Sequence, residues 1–308
     1  MFHDALVSFA ERREIKMSKY SRIFLGFCRR HYFDWLPDKT YLKLVFKSML
    51  GYPLNLKKPE TFNEKLQWLK IYNRKDIYTQ MVDKYDVKNY VASVIGQEYI
   101  IPTLGVWDTF EKVDFDILPD QFVLKCTHDS GGLIICKDKQ KFDLLDSKMK
   151  IDACLKSNYY SVWREWPYKN VKPRIIAEQY MSDGGQDIKD YKFFVFNGKV
   201  KCFKIDFDRF TKHGANYYDP SGKLLPFGEK ICPPNPQKNL KMPQNLNLMI
   251  ELAERLASDQ DFLRVDFYEI NNRVYFGELT FYPATGMGKF VPEEWDKKLG
   301  SWLQLSKK

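Results

Sequence analysis

The hydrophobic pattern changes once along the chain, near residue 100. Up to about residue 95 it is mainly helical, with apolar positions recurring at three- and four-residue spacing. Thr61 and Glu64 form a capping-box pair just after Pro59, and Phe62, Leu66 and Leu69 follow at helical spacing. A second helix is predicted over 83–94, ended by Gly96. Beyond residue 100, short β-prone runs lie between Gly, Asn and Ser breaks. Runs 121–125 and 133–136 flank Ser130-Gly131-Gly132, a hairpin with a flexible tip. A helix is expected over 147–160 and a strand over 174–181. Strands 191–197 and 200–207 turn at Asn197-Gly198, a strong hairpin signal. Residues 219–245, rich in Pro, Gly and Asn, read as a long loop before a helix at 246–257. Two last strands, 262–269 and 274–280, surround Asn271-Asn272. The class is α+β with antiparallel sheets. The expected divisions are a helical, basic extension over 1–60, a helical part of the core over 61–115, a smaller subdomain over 116–185 and a larger one over 186–308.

The last hairpin carries most of the chemistry. With a three-residue loop at 271–273, Ile270 faces Val274, Asp266 faces Glu278 and Arg264 faces Thr280. One sheet face then presents Arg264, Asp266, Glu278 and Thr280. The other presents Leu263, Val265, Phe267, Tyr275 and Leu279. Opposed carboxylates repel unless a cation lies between them. A hard, oxygen-liganded ion such as Mg²⁺ meets that need, and so does Arg264 pairing with both acids. Lys125 ends a strand shortly before the glycines 131 and 132, whose backbone N–H groups allow close approach of a phosphate. His128 beside Asp129 reads as loop polarity, and Cys126 as a structural thiol.

Composition narrows the function classes. At 44% hydrophobic and 16% aromatic residues, the 308-residue chain has enough apolar side chains for a packed core. The net charge of +9 points to an anionic partner. Residues 12–30 carry seven Lys or Arg against one acid, together with Phe24, Leu25 and Phe27. That segment is either a solvated helix or a basic helix in peripheral contact with an anionic inner-membrane surface. Asp4 and Glu11 do not suit a secretory signal, and no apolar run is long enough for a span. Six scattered Cys without CxxC and four His without HExxH argue for reduced thiols and against zinc. The expected location is cytoplasmic, and no zinc-finger, RNP-type or KH pattern supports a nucleic-acid partner.

The order DKY at 83–85, FVLK and SGG within 122–132, IIAEQYM at 175–181, DYKFFVFNG at 190–198, RVDFY at 264–268 and GELTFYPATGM at 277–287 resembles ATP-grasp enzymes. With PETFNEKLQWLK at 59–70 and LPDKTYL at 36–42, it is similar more narrowly to the TupA-like ATP-grasp family, associated with bacterial surface polysaccharide and teichuronopeptide biosynthesis. The resemblance covers roughly 36–300. It implies ATP held between two antiparallel sheets. Lys84 and Lys125 would contact ATP, and Ser130, Gly131 and Gly132 would form the phosphate loop. Glu178, Gln179 and Met181 would line adenine and Asp190 would bind ribose. Lys192 would face phosphate or substrate. Asp266 and Glu278 would hold Mg²⁺, and Arg264 would contact the activated intermediate. Thr280 stands where the family pattern ends in Asn, a weaker metal ligand.

Most enzymes of this kind join a carboxylate to an amine through an acyl phosphate. The resemblance therefore implies a ligase using ATP and Mg²⁺ in surface polysaccharide biosynthesis, acting on a uronic acid of a glycan with an amine or amino acid as partner. The alternatives are a glycosyltransferase using a nucleotide sugar at Asp206-x-Asp208, and a sugar kinase on the same ATP scaffold.

Overall fold

A computed structural model describes residues 18–129, 131–184, 188–208 and 211–306. Five helices open the described chain: α1 Lys19–Arg29, α2 Asp38–Leu50, α3 Phe62–Tyr72, α4 Ile77–Val82 and α5 Asp86–Ile95. The capping box starts α3 as its sequence requires. Thr61 accepts from the Glu64 N–H at 3.1 Å, and the Glu64 carboxylate accepts from the Thr61 N–H at 3.1 Å. Glu64 also accepts from Asn55 and Glu60, so this acid is fully spent on backbone. Gly96, at φ +123°, ends α5.

A four-stranded antiparallel sheet follows, built from β1 Thr103–Trp107, β2 Phe122–Cys126, β3 Leu133–Cys136 and β4 Ile175–Gln179 in the order β1-β4-β2-β3. β1 lies ahead of the boundary expected at residue 116. Its partner is β4, distant in sequence, which local periodicity does not reveal. The helix expected over 147–160 is two helices, α6 Leu144–Leu155 and α7 Tyr159–Trp163, each started by a side-chain cap, Asp143 and Asn158. Phe122, Leu124, Ile151 and Ile175 give this unit its own small core.

The larger sheet contains β5 Asp190–Phe196, β6 Lys199–Phe207 and β7 Gly214–Tyr218. After a short strand β8 Gly228–Glu229 and helix α8 Leu246–Leu256, it is completed by β9 Phe262–Ile270 and β10 Arg273–Thr280. Its order is β10-β9-β5-β6-β7. Strand β11 Phe290–Val291 pairs with β8, and α9 Glu294–Trp302 packs on α3. Helix α8 covers one face of β5, β6 and β9, where Phe193, Leu263, Val265 and Phe267 have no exposed surface.

The β9–β10 hairpin corrects the expected register locally and keeps it where it matters. Asn271 and Asn272, at φ +51° and +60°, make a two-residue turn, so Ile270 faces Arg273 rather than Val274. An irregularity at Gly277 then inserts one residue and restores Glu278 opposite Asp266 and Thr280 opposite Arg264. A Cβ at Gly277 would lie 3.0 Å from the Asp266 carbonyl oxygen, so the bulge needs a residue without one. Ahead of the bulge the faces swap. Val274 and Phe276, not Tyr275, join Leu279 in the apolar layer.

Only residues 18–30 of the basic segment 12–30 are described. Leu25 and Cys28 of α1 are buried, while Tyr20, Ile23 and Phe27 form an exposed stripe continued by Tyr32 and Trp35. Among the described residues, no helix is long and apolar enough to cross a membrane.

Candidate functional site

The uncovered face of the larger sheet carries a dense charge cluster. Glu278, Asp266, Lys192 and Lys204 lie in one row across β10, β9, β5 and β6. The Lys192 ammonium pairs with Asp190, with Asp266 at 2.8 Å and with Asp206 at 3.7 Å. Arg264 donates to both oxygens of Asp266, at 2.7 and 2.8 Å, and to Glu278. Thr280 donates to the same Glu278 carboxylate at 3.2 Å. Lys204 pairs with Glu229 at 3.0 Å and lies 3.8 Å from Asp206. Of the two sequence readings of the hairpin, the structure contains the pairing of Arg264 with both acids. That pairing runs from the buried Asp266, 1% exposed, to the rim, where 47% of the Glu278 side chain is exposed.

Among the described residues, Asp190, Asp206, Asp266, Glu278 and Glu229 meet Lys192, Lys204 and Arg264 here, and His213 lies 3.5 Å from Asp206. Burial, reinforced by Asp190 and Glu278, pushes the Asp266 carboxyl up in spite of Arg264 and Lys192. Glu278 stands at the rim with 47% of its side chain exposed; partial desolvation would raise its carboxyl, but Arg264, Lys192 and Lys84 outweigh it and hold it at about 2. Carboxylate and hydroxyl oxygens such as these are the donors that a hard divalent cation such as Mg²⁺ takes. Asp266, Glu278 and Thr280 would hold it, and it would supply charge neutralisation for a bound polyphosphate.

The smaller sheet offers the opposite sign. Lys125 of β2 and Lys88 of α5 both pair with Glu178 of β4. Burial would raise Glu178, yet these two lysines hold it at about 2. Burial opposes the charge on Lys125 as well, and Glu178, Tyr268 and Glu278 together raise its affinity for the proton. Lys125 therefore feels Glu278 across the gap between the sheets, as Glu278 feels Lys84. The two faces address a common space.

Lys84 lies at the edge of that space, where its ammonium donates to the carbonyls of Cys126 (3.0 Å) and Asp129. Asp129 has a structural role that its loop setting did not reveal. Its Oδ1 accepts from the N–H groups of Gly131 and Gly132 at 3.0 and 3.2 Å, and its Oδ2 from Cys154 and Ser157. The N–H groups expected to meet phosphate are thus already turned toward an anion, here the carboxylate of Asp129. Gly132 is required by packing: a Cβ there would lie 2.5 Å from Cys154 Sγ and 2.6 Å from Cys126 Sγ. Ser130 lies outside the described residues.

Other expected positions separate. Asp190 is buried in the charge cluster, where it pairs with Lys192. The Gln179 N–H donates to the Pro102 carbonyl at 3.0 Å, which commits that donor to the backbone. Met181 is half-buried just beyond β4. Asp206 and Asp208 do not form a metal pair. β6 ends at Phe207, Asp208 adopts φ +51°, and its carboxylate pairs with Lys238 at 2.8 Å while Asp206 stays in the cluster. Lys88, Lys204, Asp206 and Glu229 were not singled out as partners of this site. Lys88 lies one helical turn after Lys84. Lys204 and Asp206 repeat Asp190 and Lys192 in reverse around the Asn197-Gly198 turn, a signal visible in the sequence.

Beside this space lies a buried pair with a different task. Lys70 of α3 is wholly buried and donates to the carbonyls of Trp163 and Thr285, at 2.9 and 2.8 Å. Gln67 donates to Thr285 and Gly286 at 3.1 and 2.7 Å. These two side chains hold a turn directly after β10 in which Ala284, Thr285 and Gly286 all have φ between +48° and +64°. Such a conformation in Thr costs energy and persists only where neighbours enforce it. Near Lys70, Glu165 is 3% exposed and its Oε1 has no hydrogen-bond partner among the described residues. Burial pushes Glu165 up to about 7, against the attraction of Lys70. A carboxyl raised in the folded state stabilises fully below its unfolded value of 4.5, and that contribution is lost as pH rises through about 7. Glu165→Gln should remove this slope. The melting temperature of the wild type, relative to the variant, should fall between pH 4.5 and about 7; a constant difference would show that Glu165 is ionised throughout.

The TupA-like ATP-grasp family model matches residues 64–304. No curated protein sequence matches this chain. Among solved structures, a D-alanine–D-alanine ligase from Helicobacter pylori is similar at 16% identity and a TM-score of 0.41, covering 79% of this chain and 69% of its own. An L-amino acid ligase from Bacillus licheniformis is similar at 13% identity and a TM-score of 0.43, with 80% of this chain and 55% of its own covered. Phosphoribosylamine–glycine ligase from Thermotoga maritima has 13% identity and a TM-score of 0.42 over 69% of this chain and 51% of its own, so this chain spans about half the length of the latter two.

Proposed function

We propose that this chain, which belongs to the TupA-like ATP-grasp family, is an ATP-dependent carboxylate–amine ligase acting on a uronic acid of a bacterial surface glycan. What carries the reading is the opposition of signs across one space: Lys84, Lys88 and Lys125 on one side, and the carboxylates Asp266 and Glu278 of the larger sheet on the other. The lysines neutralise the triphosphate of ATP. Asp266 and Glu278 would hold Mg²⁺, which would supply neutralisation of the remaining phosphate charge. Lys192 keeps Asp266 in place through a 2.8 Å contact, and Arg264 lies between both acids, ready to exchange a carboxylate for an incoming anion.

In the reaction, an oxygen of the substrate carboxylate attacks the γ-phosphorus. The bond to the β-γ bridging oxygen breaks, leaving ADP and an acyl phosphate. The nitrogen of a neutral amine then attacks the acyl carbon, phosphate leaves with the electron pair of the C–O bond, and the amide nitrogen releases one proton to solvent. Little covalent chemistry is asked of the protein, which orients the partners and stabilises charge. Mixtures of ATP, Mg²⁺, a uronic acid and an amine should release phosphate and form the amide, and Glu278→Gln should reduce the rate by about a hundredfold or more. Amide formation without ATP consumption, or none with any uronic acid tested, would remove the ligase reading.

The exposed stripe Tyr20, Ile23 and Phe27, with Tyr32 and Trp35, lies among Lys19, Arg22, Arg29 and Arg30. Apolar and aromatic side chains ringed by cations suit the headgroup level of an anionic bilayer. We propose that α1 makes peripheral contact with such a surface. The protein should sediment with phosphatidylglycerol vesicles and not with phosphatidylcholine vesicles. Phe27→Ser with Trp35→Ser should weaken that binding several-fold, and equal sedimentation of the variant would refute the contact.

A further inference from the structure

Away from the charge cluster, a cavity of about 710 Å³ opens between α2, the loop before α3, α3 itself and the end of the chain. Its volume is in the range of ligand pockets. Its lining is unusual in sign and shape. Lys39 and Lys43 enter from one face of α2, and Lys57 from the loop. The half-buried Tyr72 gives the aromatic part of the wall beside Pro59, backed by Trp68, one turn away on α3, which is 8% exposed and has its ring centroid 5.0 Å from that of Tyr72.

None of the three lysines has an ion-pair partner among the described residues, although most acids nearby are engaged. Asp38 pairs with Arg74 at 2.6 Å and accepts from Tyr160 at 2.9 Å. Glu64 is spent on backbone N–H groups, and Glu60 lies 3.7 Å from Lys58. Three cations around one concavity, with no ion-pair partner among the described residues, raise its potential and attract an anion. The aromatic pair asks for more than a bare ion, because a pyranose ring places its C–H face against such a surface while its charged group reaches the rim.

We propose that this cavity is a second binding site, for an anionic saccharide: its carboxylate or phosphate meets Lys39, Lys43 and Lys57, and its ring lies against Tyr72, which Trp68 backs. The site stands on this geometry and does not depend on the ligase reading. Helix α3 joins it to the reaction centre, since Gln67 and Lys70, on the side away from Trp68 and Tyr72, clamp the turn at Thr285 and Gly286. A glycan carrying several acidic sugars can thus be held here while another part of it, or another chain, reacts between the sheets.

The test is calorimetric titration of the full chain without nucleotide, using a galacturonate tetramer, a sugar phosphate, neutral maltotetraose and inorganic phosphate. The acidic tetramer or the sugar phosphate should bind, which separates carboxylate from phosphate as the preferred charge, and the neutral sugar should not. Lys43→Gln combined with Lys57→Gln alters two exposed side chains and should leave the melting temperature unchanged. It should weaken binding about tenfold, as expected for two partly screened charge contacts. Glu278→Gln should leave saccharide binding intact, which keeps this result separate from failure of the ligase reaction. The proposal is overturned if no acidic saccharide binds the wild type, if maltotetraose or inorganic phosphate binds as well, or if the double lysine variant binds like the wild type.

Discussion

The candidate site depends on keeping buried charges, Asp266 and Lys192 above all, on one face of a β-sheet. Asp266 is almost fully enclosed beside Asp190, Asp206 and Glu278. Ionised groups at that depth cost several kcal/mol each unless paired. Lys192 and Arg264 supply the pairing, each touching more than one acid. The two sheets differ in what they present, with Lys125 on the smaller one and Asp266 and Glu278 on the larger.

That division constrains the backbone. Four strands must keep charged residues on one face, with Phe193, Val265 and Phe267 on the other, so a one-residue slip of any of them would invert its part of the row. The β9–β10 hairpin meets this with compensating features. A tight Asn-Asn turn shifts the pairing by one residue, and the bulge at Gly277 shifts it back before Glu278. The turn beyond β10 is fixed from outside the sheet, by Gln67 and Lys70 of α3. The helical first third thus acts as a brace for the reaction centre as well as a surface layer.

Much of this was legible in the sequence. The α+β class, the Asn197-Gly198 hairpin, the capping box at Thr61 and the opposition of Asp266 and Glu278 follow from local rules, and the structure contains all of them. What escaped depends on contacts between distant segments. β1 exists because it pairs with β4. Lys88 matters because its helix brings it to Glu178. Asp208 looked like a partner of Asp206 on alternation alone, but the strand ends between them. The role of Asp129 could not be read from composition, since it rests on two backbone N–H groups facing back onto its own carboxylate.

The claim on which the rest stands is that the space between the sheets binds ATP with a divalent cation held by Asp266 and Glu278. Calorimetric titration of the wild type and of Glu278→Ala with a non-hydrolysable ATP analogue, with and without Mg²⁺, tests it most directly. The account predicts binding by the wild type that strengthens markedly with Mg²⁺, and a loss of about a hundredfold in the variant. No binding to the wild type, or binding indifferent to both Mg²⁺ and Glu278, would contradict it.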